Sequence, residues 1–282
     1  MKPLAALAAV WWVTALAPGQ TPVFSGRVEM VRLDVLVTAG GRPVTGLTRD
    51  DFEVRDNGVL QDISLLGVDD GPLSVVLTLD LSASVEGERL ANLRAAGRAL
   101  LDGLRPNDQV SLIAFNHMVS RLSRFTSAFG EVRAALDAAT PSGGTALVDA
   151  SFASLVVAES DGRRGLAVLF SDGLDTTSWL TETQAIESAR RSETIVYGVA
   201  VAQRSGGPEF LRDVTAISGG RMLEVRDADE LAGAFVSVLS EFRERYLLSY
   251  TPTGVDQPGW HSVDVRVRRR GADVRTRQGY VR

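Results

Sequence analysis

Oxygen-bearing side chains collect in three short segments: Asp80-Leu81-Ser82-Ala83-Ser84, Ser142-Gly143-Gly144-Thr145 and Ser171-Asp172-Gly173. As a set, Asp80, Ser82, Ser84, Thr145 and Asp172 supply two carboxylates and three hydroxyls. These are hard oxygen donors of the kind that hold Mg²⁺ or Mn²⁺. In an extended segment residues i, i+2 and i+4 project to one side, so Asp80, Ser82 and Ser84 are expected to converge on one point. Gly143 and Gly144 let the loop carrying Thr145 approach closely. The chemistry expected of this constellation is a divalent cation through which the protein grips another molecule.

The elements that must position these groups follow from hydrophobic patterning. Leu73–Leu79 is almost continuously apolar, as in a strand covered on both faces, and Asp80 follows it directly. Further apolar strands are expected at Val110–Phe115, Leu166–Phe170, Thr194–Val201 and Met222–Val225, with a shorter one at Met118–Leu122. Helices are expected at Glu88–Leu104, Phe125–Ala138, Leu147–Glu159, Thr181–Arg191, Pro208–Ile217 and Ala228–Arg245. Strands alternating with helices imply a doubly wound, mostly parallel α/β sheet. In such sheets ligands bind at the carboxyl ends of strands, beside the reversal in strand order. Asp80, Thr145 and Asp172 all fall at that rim.

The two flanks read differently. Phe24–Val68 carries strand-like runs and an Asn57-Gly58 hairpin signal. After Tyr246, Val263, Val265 and Val267 alternate with charged residues, Gly271 turns the chain and Val274–Val281 returns. Each flank is too small to fold alone, so the two are expected to pair into one small β domain with the α/β domain inserted between them. The division is 21–70, 71–245 and 246–282, preceded by a signal peptide at 1–20. Lys2, the apolar run Leu4–Ala17 and Pro18-Gly19-Gln20 support that leader, and retention as an anchor is the alternative. The expected location is therefore periplasmic or extracellular.

Other chemistries have little material. The chain of 282 residues has no cysteine, which removes disulfides, thiolate metal sites and thiol catalysis. His117 and His261 are the only histidines and lack the spacing of a zinc pair or of a Ser-His-Asp triad. Ser82 has no Gly-x-Ser-x-Gly context, and no phosphate-binding glycine loop is present. An enzyme is not expected. A net charge of −5 gives no reason to expect nucleic-acid binding. Asp161 and Asp175 read as solvated turn carboxylates. The basic hairpin of Arg266, Arg268, Arg269, Arg270, Arg275 and Arg277 reads as a solvated sheet face, with peripheral contact to an anionic envelope surface as the functional alternative. Trp179 and Leu180 are large apolar residues in a loop beside the site, suited either to a partner-contact rim or to burial.

The stretch from about Pro72 to Arg245 resembles a von Willebrand factor A domain, and the three oxygen-rich segments match its metal-ion-dependent adhesion site. That resemblance implies direct metal contacts from Ser82, Ser84 and Thr145 and contacts mainly through bound water from Asp80 and Asp172. It also implies a sixth position filled by the Asp or Glu of a protein partner. Val44–Phe52, Tyr246–Pro252 and Arg277-Gln278-Gly279-Tyr280 are similar to the edges of a bacterial exported family called VWFA-related, which implies a cell-envelope setting. The function implied is a metal-dependent adhesion or protein-binding module. The alternatives are a non-catalytic subunit of a chelatase-type assembly and, less favoured, a metal-dependent hydrolase.

Overall fold

The computed structural model describes residues 30–68, 70–171, 173–201 and 208–282, so the leader expected at 1–20 lies outside the described residues. Five strands come first: β1 (Val31–Ala39), β2 (Arg42–Pro43), β3 (Phe52–Asp56), β4 (Val59–Gln61) and β5 (Ile63–Val68). β3 and β4 pair across Asn57-Gly58, where φ is 45° and 83°. Asparagine and glycine tolerate that left-handed region, and its twist matches the paired strands.

The next stretch alternates. Its strands and helices are β6 (Leu73–Asp80), α1 (Glu88–Asp102), β7 (Gln109–Phe115), β8 (Val119–Thr126), α2 (Phe129–Ala138), α3 (Leu147–Glu159) and β9 (Arg164–Phe170). It continues with α4 (Glu182–Arg191), β10 (Ile195–Val201), α5 (Glu209–Ser218), β11 (Met222–Val225) and α6 (Leu231–Arg243). Together the strands form one sheet in the order β11-β10-β9-β6-β7-β8, in which β8 alone is antiparallel to its neighbour. The chain enters at β6, moves outward to β8, then returns across the sheet to β9. That reversal between β6 and β9 opens a crevice at their carboxyl ends. Helices cover both faces, which is why every residue of β6 is buried. Val75, Leu77 and Leu79 share an apolar cluster with Leu93 of α1 and Phe235 of α6, whereas Val76 clusters with Leu155 of α3 and Phe210 of α5.

Two helices depart from expectation by more than two residues at an end. β8 runs on to Thr126, which pairs with Val110, so the helix expected from Phe125 begins only at Phe129. The Thr126 hydroxyl accepts from Ala128 N (3.0 Å) and turns the chain between the two elements. The helix expected over Ala228–Arg245 is a 3-10 turn followed by α6, which stops at Arg243. Arg245 is instead drawn fully inward, donating to Asp34 O (3.1 Å), Tyr197 Oη (2.9 Å) and Gly219 O (2.6 Å).

The last strands are β12 (Tyr246–Tyr250), β13 (Trp260–Val267), β14 (Ala272–Arg275) and β15 (Gly279–Val281). They interleave with the first five into two antiparallel sheets, β14-β1-β12-β5 with β2 on β1, and β15-β13-β3-β4. Leu33, Phe52, Leu248 and Val265 belong to one core shared by the two sheets. The two flanks thus pair into one small β unit, as expected of segments each too small to fold alone, and its two sheets form a sandwich. The return strand expected over Val274–Val281 is two strands in different sheets. Its crossing at Thr276–Gln278 is pinned by Gln278 N donating to Ile217 O (3.1 Å). Gly219, at φ +85°, ends α5 against this crossing, and a β-carbon there would collide with the backbone of Thr276 and Arg277. Among the described residues no helix is long and apolar enough to cross a membrane.

Candidate metal centre

Asp80 ends β6 and is fully buried. Its Oδ1 accepts from Ser82 N (2.8 Å) and its Oδ2 from Ser171 Oγ (2.7 Å). A carboxylate that accepts from the backbone two residues on bends the chain. The segment after Asp80 is therefore a turn, closed by Val85 N donating to Ser82 O (3.0 Å), and not the extended run expected from the alternation of Asp80, Ser82 and Ser84. The turn still brings the two hydroxyls together: Ser82 Oγ and Ser84 Oγ are 3.0 Å apart. Ser82 is buried and Ser84 exposed, so the pair leads from the interior to solvent. Oxygens on adjacent corners of a Mg²⁺ octahedron lie about 2.9 Å apart, so this spacing fits two ligands of one cation.

Backbone bonds hold the Thr145 loop against that turn. Ser142 N donates to Leu81 O (2.9 Å) and Ala83 N to Gly143 O (3.0 Å). Gly143 and Gly144 are required by close approach: a β-carbon on Gly143 would strike the His117 ring, and one on Gly144 would lie 2.8 Å from Thr177 Cγ2. Thr145 is buried, with its N donating to Thr176 Oγ1 (2.9 Å) and its O accepting from Thr176 N (2.8 Å). The loop after β9 also caps α3. Asp175 Oδ1 accepts from Val148 N (3.2 Å) and Ser178 Oγ from Asp149 N (3.1 Å). Asp149 returns the exchange by accepting from Trp179 N (3.0 Å) and Leu180 N (2.9 Å).

Asp80, Ser82, Ser84 and Thr145 are thus placed at the carboxyl-end rim of β6. Asp172 lies outside the described residues. Its neighbours reach the same rim: Ser171 donates to Asp80, and a β-carbon on Gly173 would lie 3.7 Å from Thr145 Oγ1. Among the described residues no three His, Asp or Glu side chains gather as a metal site; the side-chain oxygens beside Asp80 at this rim are the hydroxyls of Ser82, Ser84 and Thr145.

Several residues differ from their sequence reading. Asp175 is a helix cap and not a solvated carboxylate. Asp161 accepts from Ser74 Oγ and pairs with Arg163 (3.4 Å) at the opposite end of β6. Trp179 is 92% exposed, while Leu180 packs against the apolar cluster of α3. Ser171, Thr176 and Asp149, which position the site, were not singled out. Only Ser171 carried a local signal, its adjacency to Asp172.

Residues 75–174 match the von Willebrand factor type A domain family. Domains of this type are generally non-catalytic binding modules and often hold Mg²⁺ or Mn²⁺. Inter-alpha-trypsin inhibitor heavy chain H2 of Mus musculus is 25% identical over 134 residues, which are 43% of this chain and only 14% of that protein's length. In fold the chain is similar to a von Willebrand factor type A protein from Catenulispora acidiphila, with TM-score 0.55, 12% identity and coverage of 92% of this chain and 75% of the other. It is also similar to the corresponding domain of the type V pili tip protein Mfa5 from Porphyromonas gingivalis, with TM-score 0.51, 15% identity and coverage of 60% and 94%. Proximal thread matrix protein 1 from the mussel byssus gives TM-score 0.55 at 14% identity, over 67% of this chain and 51% of that one. With its strand order and its helices on both faces, the α/β portion of this chain has the von Willebrand factor type A fold, and the family match lies within it at residues 75–174.

Proposed function

We propose that the chain is a divalent-metal-dependent protein-binding module of the cell envelope. In this reading Asp80, Ser82, Ser84, Thr145 and Asp172 hold Mg²⁺ or Mn²⁺, and an Asp or Glu of the partner completes the coordination. The observation that carries it is the 3.0 Å pairing of Ser82 Oγ with Ser84 Oγ beside the buried carboxylate of Asp80, at the strand-order reversal. When bound, such an ion supplies an electrophilic centre, because neutral hydroxyls and only two carboxylates leave it short of negative charge. The chain's part is to fix the donors: Ser171 orients Asp80, and Thr176 holds the backbone of Thr145.

The surroundings support a contact surface. Leu174, Trp179 and Met118 are exposed around the same end of the sheet, the arrangement of apolar contacts about a polar centre that protein interfaces use. The envelope setting rests on the leader expected at 1–20, and the likeness to a pili tip domain is one of fold alone. The α/β unit of 71–245 is assigned the binding role, with the flanks 21–70 and 246–282 as its mount.

Calorimetric titration of the purified chain with Mg²⁺ and Mn²⁺ tests the metal reading. One equivalent is expected to bind, and Ser82→Ala should weaken it by roughly tenfold or more. Capture of envelope proteins in Mg²⁺ should be lost when EDTA is added. Equal capture with and without chelator would reject the mechanism, and recovery of the native protein only from cytosol would reject the setting.

A further inference from the structure

At the other end of the central sheet, where β9 and β10 begin, a cleft of about 490 Å³ separates the α/β unit from the sandwich. Five arginines line it: Arg32, Arg163, Arg164, Arg191 and Arg277. Three carboxylates oppose them: Asp34, Glu159 and Glu193. The excess of positive charge stands out in a chain whose net charge is −5.

Two of the arginines are matched. Arg164 Nε donates to Asp34 Oδ1 (2.6 Å), and Arg163 pairs with Asp161 (3.4 Å). Arg277 is not matched in this way. It is 7% exposed, its Nε is buried without a hydrogen-bond partner, and among the described residues no carboxylate pairs with it. Its guanidinium lies 5.7 Å from the centre of the Tyr280 ring, a contact that satisfies no N–H. Burying a cation without a counter-charge costs several kcal/mol, so folds seldom keep one without a use. Here the position is enforced, because Gly219 and the Gln278–Ile217 bond clamp the crossing that bears Arg277. Burial also lowers the Arg277 pKa, while Glu193 and Asp34 act against that shift from beyond ion-pair distance.

We infer that this cleft binds a compact oxyanion, a carboxylate or phosphate group, with Arg277 as its central contact and Arg32 and Arg191 at its mouth. A guanidinium offers a planar fork that matches either group in bidentate fashion. The volume suits a small polar ligand. This site is separate from the metal rim and does not depend on it.

The test titrates the purified chain, in metal-stripped low-salt buffer, with inorganic phosphate and separately with citrate, by calorimetry and thermal unfolding. Saturable binding of one equivalent is expected for at least one anion, weakening as salt is added. R277Q should weaken it at least about tenfold, and R277K, which keeps the charge but loses the fork, should fall between. The stronger of the two anions identifies the source of the oxyanion. Absence of saturable binding for both anions, or wild-type affinity in R277Q, overturns the inference. Should R277Q fail to fold by circular dichroism, the exposed double variant R32Q/R191Q decides: a loss of about threefold or more supports the site, and unchanged affinity rejects it.

Discussion

Asp56 and Asp80 each close a strand and each is fully buried, yet their partners come from different places. Asp56 Oδ1 meets His261 Nδ1 (2.9 Å), and Oδ2 accepts from the hydroxyls of Tyr250 (2.9 Å) and Tyr280 (2.8 Å). The other His261 nitrogen donates to Gln257 O (2.6 Å). These partners stand on β12, β13 and β15 or the loop before β13, so one carboxylate ties the two sheets of the sandwich together. Asp80 instead accepts from a backbone N–H and a hydroxyl in the rim loops, with Ser82 and Ser84 beside it reaching toward solvent. The same residue at the same burial is a tie in one place and a candidate ligand in the other. What separates them is whether side chains from distant strands enclose the carboxylate.

Substitution at the two aspartates should part these roles. Asp56→Ala strands two hydroxyls and an imidazole in the core, and denaturant unfolding should show a loss of about 3–5 kcal/mol. Wild-type stability in that variant would break the comparison. Asp80→Ala should reduce Mg²⁺ affinity at least about tenfold by calorimetry. In metal-free buffer its stability should fall by no more than about 1–2 kcal/mol.

Alkaline pH sharpens the contrast. Burial, then the hydrogen bond to Asp56 and its charge, push the Tyr250 and Tyr280 hydroxyls above their ordinary value of 10.0. The native state therefore keeps protons that the unfolded chain releases, and unfolding becomes easier as pH rises through about 10. Stability should be insensitive to these groups below about pH 9, and Tyr250→Phe should flatten the decline above it, as read by denaturation at stepped pH. Asp80→Ala should leave that slope alone. The smallest effect is expected from Trp179→Ala, with under about 0.5 kcal/mol lost in unfolding but weaker partner capture in Mg²⁺.

Local pattern was enough for the central sheet, since an apolar run such as Leu73–Leu79 bounded by polar turns has few other uses. It was enough also for the hairpin at Asn57-Gly58, where the turn chemistry is confined to two residues. Pattern failed where a distant pairing overrode it. Phe125 and Thr126 carry helix-compatible spacing, but backbone bonds to β7 keep Thr126 in the strand. Arg277 sits in a charged stretch that reads as solvated, and its burial comes from a crossing clamped by Gly219, more than fifty residues earlier. At the rim, residue types and order were legible for Asp80, Ser82, Ser84 and Thr145. The supports Ser171, Thr176 and Asp149 were not, because hydrogen bonding to a loop leaves no periodicity.

The pairing of Val68 with Tyr246 has a consequence for how the chain assembles. These residues stand at the entrance and exit of the inserted unit, which owns all six of its strands and needs nothing from outside to complete its sheet. By contrast β1 must wait for β12 and β14, so the sandwich has no route to closure until the strands that follow the insert have been delivered. Folding of the insert shortens that wait by replacing the loop of 177 residues between Val68 and Tyr246 with a single paired step, and so removes much of the entropy that would oppose joining the ends.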